Sequence, residues 1–201
     1  MIATGFRFSV HRLALLALAL GAFSSAGAAP RAVVPEDAQV EFVVREMGVP
    51  VPGRFKRFEA VVDLDPAAPE RSSATVSIDI GSLTTGNEEA DALAVGPDWL
   101  DKARAPMAVF KTTTVRALGG GRYEARGQLS IRGNTREIVV PLVTTEQAAG
   151  RTLVASDFVI RRSEFSIGGG VWNKPGVVAE EIPVKVRITL AAPGAKPAGT
   201  R

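Results

Sequence analysis

Apolar and polar residues alternate with a period of two along most of the chain between residues 39 and 190. In residues 39–46, for example, Val40, Phe42 and Val44 alternate with residues of the opposite face. This period is typical of β-strands that bury one face, and turn-forming runs of Gly, Pro and Asn separate the segments. The pattern predicts roughly eight strands, at residues 39–46, 59–65, 72–80, 107–118, 122–131, 136–145, 151–160 and 180–190.

One segment interrupts this alternation. Residues 86–106 carry acids early and bases late, with the apolar residues Leu93, Trp99 and Leu100 between them. This distribution suits one or two short helices whose charges match the helix dipole. The three glycines at 119–121 predict a hairpin loop. The chain is therefore predicted to be a single all-β domain, a sandwich or a barrel, with one helical excursion.

Residues 53–60, GRFKRFEA, interleave two phenylalanines with three cations. Such a composition also occurs in proteins that bind single-stranded nucleic acid. Because Phe55 is only three residues before Phe58, both rings face inward only if the strand bends near Lys56 and Arg57. We therefore expect a core strand that turns a barrel corner, with its cations in solvent.

The first residues predict a secretory signal peptide at residues 1–28. They combine a basic start without acids, the apolar run LALLALALGAF and small residues at Ala26 and Ala28, which together form the pattern of an exported leader. We expect cleavage after Ala28, because cleavage one residue later would leave Pro30 first. The apolar run is shorter than the ~20 residues of a spanning helix, so export into the periplasm is favoured over an uncleaved anchor.

Removal of this leader changes the charge and the available chemistry. The full sequence has 24 basic and 21 acidic residues and a net charge of +3; without Arg7 and Arg12, 22 basic residues remain and the charge is +1. That balance gives no reason to expect a nucleic-acid partner. His11 is the only histidine and cysteine is absent. A Ser-His-Asp triad, a cysteine nucleophile and metal sites of imidazole or thiolate are thereby excluded, and no cofactor is expected.

Five segments follow one another in the chain: MGVPVPGRFKRFEA, SLTTGNEEAD, APMAVFKTTTV, GQLSIRGNTREIVVPL and RRSEFSIGG. This ordered set, within residues 36–190, resembles the YceI-like family of periplasmic polyisoprenoid-binding proteins. The resemblance implies a lipocalin-like antiparallel barrel of roughly eight strands over residues 29–190, with the helical segment packed beside it. It also implies a carrier that holds a long-chain isoprenoid, such as a quinone or polyprenyl tail, in an apolar cavity.

Two positions depart from that family. Glu46 stands where the family commonly has a histidine before the Met-Gly step, and Ala90 begins a run, ADALA, where the family tends to have Arg-Asp-x-His-Leu. Head-group contacts made by those residues are expected to be absent or different here. We expect tight, tail-driven binding with weak head-group discrimination.

Large apolar residues on strands and in irregular segments are predicted to line the cavity. Phe55, Trp99 and Trp172 are favoured because irregular segments usually shape a barrel mouth, and residues 166–176 predict a mobile loop. A small barrel can also fill its interior with side chains, so a closed core remains the alternative for each candidate. The candidates are Phe42, Val44, Met47, Phe55, Phe58, Ile78, Ile80, Trp99, Phe110, Leu129, Ile131, Leu142, Phe158, Ile160, Phe165 and Trp172.

An enzyme is the main alternative of a different class. Without histidine, acid–base chemistry would fall to carboxylates such as Asp157, Glu164, Glu180 and Glu181, as in glycosidases. Glu180 and Glu181 are adjacent on a predicted strand and point to opposite faces, which is poor geometry for a catalytic pair. We therefore expect a binding protein rather than an enzyme.

Other partners follow from the same pattern. Arg161 or Arg162 could contact an anionic head group, but at most one can point inward, and a solvated position is expected for both. A ligand-free barrel that binds proteins through a strand edge is a third class, although a closed barrel has no such edge. A carrier is expected to contact the inner membrane or a membrane enzyme transiently. Residues 191–201 predict a disordered tail.

Overall fold

The computed structural model describes residues 31–195, so the predicted signal peptide and most of the predicted C-terminal tail lie outside the described residues. The described chain forms one ten-stranded sheet and a short α-helix. The strands are β1 (Val33–Glu46), β2 (Val49–Phe55), β3 (Phe58–Asp63), β4 (Ser73–Asp79), β5 (Leu83–Thr84), β6 (Met107–Gly119), β7 (Arg122–Ile131), β8 (Asn134–Glu146), β9 (Thr152–Arg161) and β10 (Glu181–Leu190). Helix α1 spans Glu88–Ala94, and 3-10 turns lie at Pro69–Arg71, Ile80–Ser82, Ala148–Gly150, Arg162–Phe165 and Gly170–Asn173.

The strands follow the order β3-β4-β6-β7-β8-β9-β10-β1-β2-β5, and neighbouring strands are antiparallel. The sheet curls because β2 pairs near one end of this order and continues directly into β3 at the other end. Arg31 adds a bridge from the start of the described chain to Val62 of β3. The predicted all-β, barrel-like class is confirmed, with ten strands rather than about eight.

The corner between β2 and β3 lies where the sequence predicts a bend. The chain bends at Lys56, whose backbone N–H donates to the carbonyl of Ser82 at 3.1 Å. Phe55 and Phe58 on either side are half-buried, whereas Lys56 and Arg57 are exposed. The cations of GRFKRFEA therefore face solvent, and the two rings face the protein.

Asp79 fastens this corner to the end of β4. The Arg57 guanidinium donates two hydrogen bonds to Asp79 Oδ2, at 2.7 and 3.0 Å, and the backbone N–H of Gly81 donates to Oδ1 at 2.7 Å. The hydrogen bonds from Arg57, joined by that from Gly81, hold the pKa of Asp79 below its ordinary value of 3.8. The ionised carboxylate of Asp79 therefore stabilises the folded state.

Replacement of Asp79 by asparagine is expected to weaken the acid sensitivity of folding. A carboxyl whose pKa is lower in the folded state contributes stability above its unfolded pKa and loses it as the pH falls through the folded value. Thermal unfolding between pH 7 and pH 3 should therefore show a smaller loss of stability below about pH 4 in Asp79→Asn than in the wild type. Glu181→Gln, at an exposed position of β10, serves as the control; equal slopes for all three proteins would contradict the prediction.

The sequence pattern does not predict the two-residue β5, and it predicts only the end of β2, at residues 53–55. Pro50, Pro52 and Gly53 interrupt the alternation in β2, although its residues pair with β1 from Glu46–Val49 to Val40–Phe55. Its second side has a neighbour only at Arg54 and Phe55, which pair with β5. Prolines are tolerated on such a sparsely paired strand because few backbone N–H groups are needed there.

The ladder between β8 and β9 is short. It pairs residues 143–146 with residues 152–155, although both strands extend well beyond that point. Pro141 of β8 has no backbone N–H with which to continue the ladder, and its carbonyl instead accepts a hydrogen bond from the Ser156 hydroxyl at 2.7 Å. The barrel wall is thus incompletely paired here, which corrects the expectation of a sheet without edges.

The core consists of two apolar clusters at opposite ends of the curled sheet. The larger cluster packs near α1 and includes Ile80, Trp99 and Phe165. The smaller one contains Val115, Tyr123 and Ala125, with Leu142 against it. In the part of the chain that the structure describes, no helix has the length and apolar character needed to cross a membrane.

Candidate functional site

A cavity of about 270 Å³ lies between the inward faces of the strands. Along β7 its wall includes Tyr123, Ala125, Leu129 and Ile131, a stretch of strand about 27 Å long at ~3.4 Å per residue. Because strands tilt by about 35–45° to the axis of a barrel, the cavity is shorter than this stretch, and its volume along it describes a narrow tube. The interior is therefore not completely filled by side chains, which answers a question that the sequence leaves open.

Two glycines help to keep this tube open. A Cβ atom at Gly53 would collide with the ring of Phe42, and one at Gly127 would lie 2.7 Å from the ring of Phe110. Each ring therefore lies against the bare backbone of a neighbouring strand, since Phe42 pairs with Gly53 across β1 and β2. The absent side chains let two large rings lie along the wall of the cavity.

The end of the cavity beside α1 is called the helix end. It is lined by Ala90, Leu93 and Ala94 of the helix, by Leu100 and by Glu46 at the end of β1. Leu93 is 43% exposed although it also lines the cavity. Because the Leu93 side chain contacts both the cavity and bulk solvent, the cavity comes close to solvent at α1.

The opposite end is called the far end and carries most of the polar wall. Ser73, Thr112, Tyr123, Thr144 and Asp63 lie there, on strands β3, β4, β6, β7 and β8. The Thr112 and Thr144 hydroxyls donate to the carbonyls of their neighbours on adjacent segments. The rest of the tube, between the two ends, is walled mainly by aliphatic and aromatic side chains.

The helix end is covered by residues 98–99 and 168–172, which contact each other. The carbonyl of Asp98 accepts hydrogen bonds from the backbone N–H groups of Gly168 and Gly169 at 2.9 and 2.8 Å. Trp99, which lines the cavity, packs edge-on against Trp172 with ring centroids 5.6 Å apart. Trp172 therefore supports the wall from behind rather than forming it.

Arg162 anchors the same region, and the expectation that it is solvated is wrong. Arg162 is 5% exposed, whereas the Arg161 side chain is 59% exposed. Arg161 is the last residue of β9, whereas Arg162 begins the 3-10 turn Arg162–Phe165, which directs its side chain into the protein. The Arg162 guanidinium donates to protein oxygens rather than lining the cavity: to the carbonyls of Ile167 (3.0 Å), Gly168 (3.2 Å), Ala179 (3.2 Å) and Val178 (3.4 Å) and to Asn173 Oδ1 (3.4 Å).

Most of the candidate residues from the sequence lie in one continuous wall. They come from seven strands, from the turn after β4 and from the loop after α1, and the tube brings them together. Their role in ligand binding stays a prediction. The candidates in the wall are Phe42, Val44, Phe55, Ile78, Ile80, Trp99, Phe110, Leu129, Ile131, Leu142, Phe158 and Ile160.

Four candidates lie elsewhere. Met47 is 72% exposed because it occupies the tight turn between β1 and β2, with a φ of 47°. Phe165 is fully buried in the larger core cluster, and Trp172 lies behind Trp99. Phe58 is half-buried opposite Ile78 in the β3–β4 ladder but does not reach the cavity.

The sequence candidates also omitted several residues of the wall. Val40, Val76, Val140 and Val184 line the cavity, and each shares the inward phase of a strand that had been recognised. The phase of their strands predicts that these valines face inward, but the candidates were chosen among larger side chains. Glu46 shares this inward phase of β1 with Val40, Phe42 and Val44, so the sequence also predicts its place in the wall.

The carboxylates considered for catalysis lie outside the cavity wall. Asp157 pairs with Arg187 at 2.8 Å, while Glu164 and Glu180 both lie within 3.8 Å of Arg161. Glu181 is exposed on β10. Within residues 31–195, no three His, Cys, Asp or Glu side chains are grouped so as to hold a metal ion.

Residues 32–190 match the YceI-like domain over nearly all of the described chain. The chain belongs to the YceI-like family. A UPF0312 protein of Pseudomonas savastanoi pv. phaseolicola is 35% identical over 133 residues, 63% of this chain and 69% of that protein. A UPF0312 protein of Vibrio cholerae is 34% identical over 104 residues, 51% of this chain. The match to this second YceI-like relative spans only about half of its length, 55%.

Solved structures share the fold of this YceI-like domain. Burkholderia cenocepacia BcnA superposes with a TM-score of 0.75 and is 31% identical; the match covers 78% of this chain and 98% of BcnA. A polyisoprenoid binding domain from Saccharophagus degradans gives a TM-score of 0.61 at 18% identity, over 78% of this chain and 94% of that domain. The second similarity is one of fold alone.

Proposed function

We propose that this YceI-like protein is a periplasmic carrier that holds the tail of a long-chain isoprenoid lipid, a quinone or a polyprenyl compound, in its cavity. The observation that carries the proposal is the narrow cavity along the strands, whose wall is apolar between its two ends. A long linear hydrocarbon chain, with or without methyl branches, fits a narrow tube better than a compact polar substrate does. Tail burial supplies the binding free energy through the hydrophobic effect.

The comparisons support this class of ligand. The Saccharophagus degradans neighbour is described as a polyisoprenoid binding domain, and its shared fold makes a related ligand the natural first test here. The candidate carboxylates lie outside the cavity and three of them are in ion pairs. We therefore propose binding rather than catalysis as the activity of this cavity.

The periplasmic location rests on the N-terminal sequence. Residues 1–28 have the basic start, apolar run and small-residue cleavage site of an exported leader. A carrier in that compartment would collect its lipid from a membrane or a membrane enzyme and deliver it to another. Edman sequencing or intact mass of the protein recovered from the periplasm of a bacterial host should place the first residue at Ala29.

Affinity must be limited by more than the length of the tail. At ~0.8 kcal/mol per buried CH₂, a tail of ~40 carbons would nominally gain more than the ~18–21 kcal/mol at which non-covalent affinities saturate. Chain ordering and partial exposure must offset part of this gain. Release would then require the helix end to open, and the cover formed by residues 166–176 is the segment that would move.

The direct test is mass spectrometry of the processed protein secreted from a bacterial host. Native spectra should show a stoichiometric adduct, and organic extraction followed by denaturing spectra should give the mass of a quinone or polyprenyl lipid. An apo mass that also fails to shift with added long-chain isoprenoids would overturn the proposal.

A series of prenyl alcohols of increasing length should show affinity that rises and then levels off. Each added unit buries more apolar surface until the tail reaches the far end of the tube, after which further units remain outside. Competition with a fluorescent fatty probe would measure the series. Affinities that do not change with tail length would contradict tail-driven binding in the tube.

A further inference from the structure

The charged residues that line the cavity are all acidic. They are Glu41, Glu46 and Asp63, and no lysine or arginine within residues 31–195 contributes to the wall. Glu41 is exposed, whereas Glu46 and Asp63 are half-buried, so Glu46 and Asp63 are the two carboxylates considered for contact with a head group. Since one lies at the helix end and the other at the far end, a lipid head group meets a carboxylate whichever way the lipid enters.

Glu46 continues the inward phase of β1 after Val40, Phe42 and Val44. It is half-buried, and the backbone bridges on either side of it, to Val49 and Val178, hold it at the helix end. The ion pairs found among the described residues do not include its carboxylate. Its negative charge is therefore not offset by a paired cation.

Asp63 provides the corresponding group at the far end. Its Oδ1 atom is buried and has no hydrogen-bond partner among the described residues. Tyr123, at the same end of the cavity, is 8% exposed and lines it. Buried polar groups normally find a partner, so the unpaired carboxylate oxygen of Asp63 points to a ligand that carries a hydrogen-bond donor.

Three arginines near the helix end are engaged elsewhere. Arg45 lies on the outward phase of β1 and donates to the carbonyl of Gly48. Arg132 donates to the carbonyls of Ser166 and Pro97, and buried Arg162 donates to the oxygens described above. None of these guanidinium groups lines the cavity, so the acidic wall is not countered from inside.

We infer that the cavity selects isoprenoids with an uncharged, hydroxyl-bearing head group, such as a prenyl alcohol or a quinol, against their phosphorylated forms. A hydroxyl donates to a carboxylate oxygen, whereas a phosphate group brings further negative charge beside it in a partly desolvated site, where like charges repel strongly. The inference rests on the proposed carrier function and names the ligand class of the same cavity. It replaces the expectation of weak head-group discrimination.

The test compares two ligands that differ only in the head group, geranylgeraniol and geranylgeranyl diphosphate. Their dissociation constants for the processed protein are measured by competition with one fluorescent fatty probe at neutral pH. The alcohol is expected to bind on the order of 100-fold more tightly. Equal affinities, or tighter binding of the diphosphate, would overturn the inference and leave the carrier function intact; binding of neither ligand would overturn the carrier function.

Single variants identify the carboxylate responsible. Either Glu46→Gln or Asp63→Asn should reduce the ratio of the two affinities to within about 10-fold, and the effective variant marks the end that holds the head group. Glu59→Gln, at an exposed position of β3 that does not line the cavity, is the matched control and should leave the ratio unchanged. Thermal unfolding checks that each variant is folded. A ratio that stays large in both variants and in their combination would overturn the role of the carboxylates.

Discussion

Replacement of Ala125 by phenylalanine is expected to shorten the longest lipid tail that the cavity accepts. Ala125 is 1% exposed and lines the cavity on β7 near the far end. A benzyl group there would occupy the space of about one five-carbon unit, whose burial is nominally worth ~4 kcal/mol at ~0.8 kcal/mol per CH₂. After the ordering of the chain is included, the longest tails should lose on the order of 100-fold in affinity, while short tails bind as before.

The measurement is the length series of prenyl alcohols, in which the plateau should move to shorter tails. Gln128→Phe adds the same ring on the exposed outward face of β7 and should leave the plateau unchanged. If Ala125→Phe strains the core and fails to fold, Val140→Phe adds the ring on β8 opposite Ala125. An unchanged plateau in a folded variant of either kind would show that the tail does not reach this part of the tube.

Replacement of Arg162 by alanine is expected to destabilise the fold by about 3–5 kcal/mol. The guanidinium is almost completely buried and satisfies four backbone carbonyls and the Asn173 side chain. Its removal leaves these oxygens without donors in the segment that covers the helix end. Urea unfolding, with the free energy extrapolated to water, measures the loss.

Arg161 supplies a control in the next position of the chain. Its side chain is largely exposed and reaches Glu164 and Glu180 only at 3.8 and 3.7 Å, so Arg161→Ala should cost less than about 1 kcal/mol. Arg162→Lys should recover little of the loss, because an ammonium group cannot reproduce the planar fork of donors. Similar losses for Arg161→Ala and Arg162→Ala would contradict the anchoring role of Arg162.

The strands show how far a local pattern reaches. Each of the eight strands that the alternation predicts is present, and β7 has the predicted bounds, Arg122–Ile131. The alternation of apolar and polar residues is a local property of the sequence, so it predicts a strand whatever the order of the strands in the sheet. The start of β2 is not predicted because Pro50 and Pro52 remove the local signal, and only pairing with β1 makes that segment a strand.

The candidate site shows a different limit. The inward phase of each strand placed residues such as Phe110 and Leu129 in the wall, because phase follows from the sequence once a strand is recognised. Met47 and Phe165 departed from the prediction because each lies in a turn, where no period indicates which way a side chain points. Arg162 likewise begins a 3-10 turn after β9, so the alternation of the strand does not indicate that its side chain is buried.

Local alternation, ordered motifs and composition were sufficient to assign this chain to an all-β domain of the YceI-like type, with no histidine or cysteine among residues 31–195. That the interior is a tube rather than a filled core follows from the folded structure alone. That outcome depends on how side chains from non-adjacent strands share one volume, as when Gly53 admits the ring of Phe42. The acidic character of both ends was decided in the same way, because Glu46 and Asp63 belong to one cavity only after the sheet has curled.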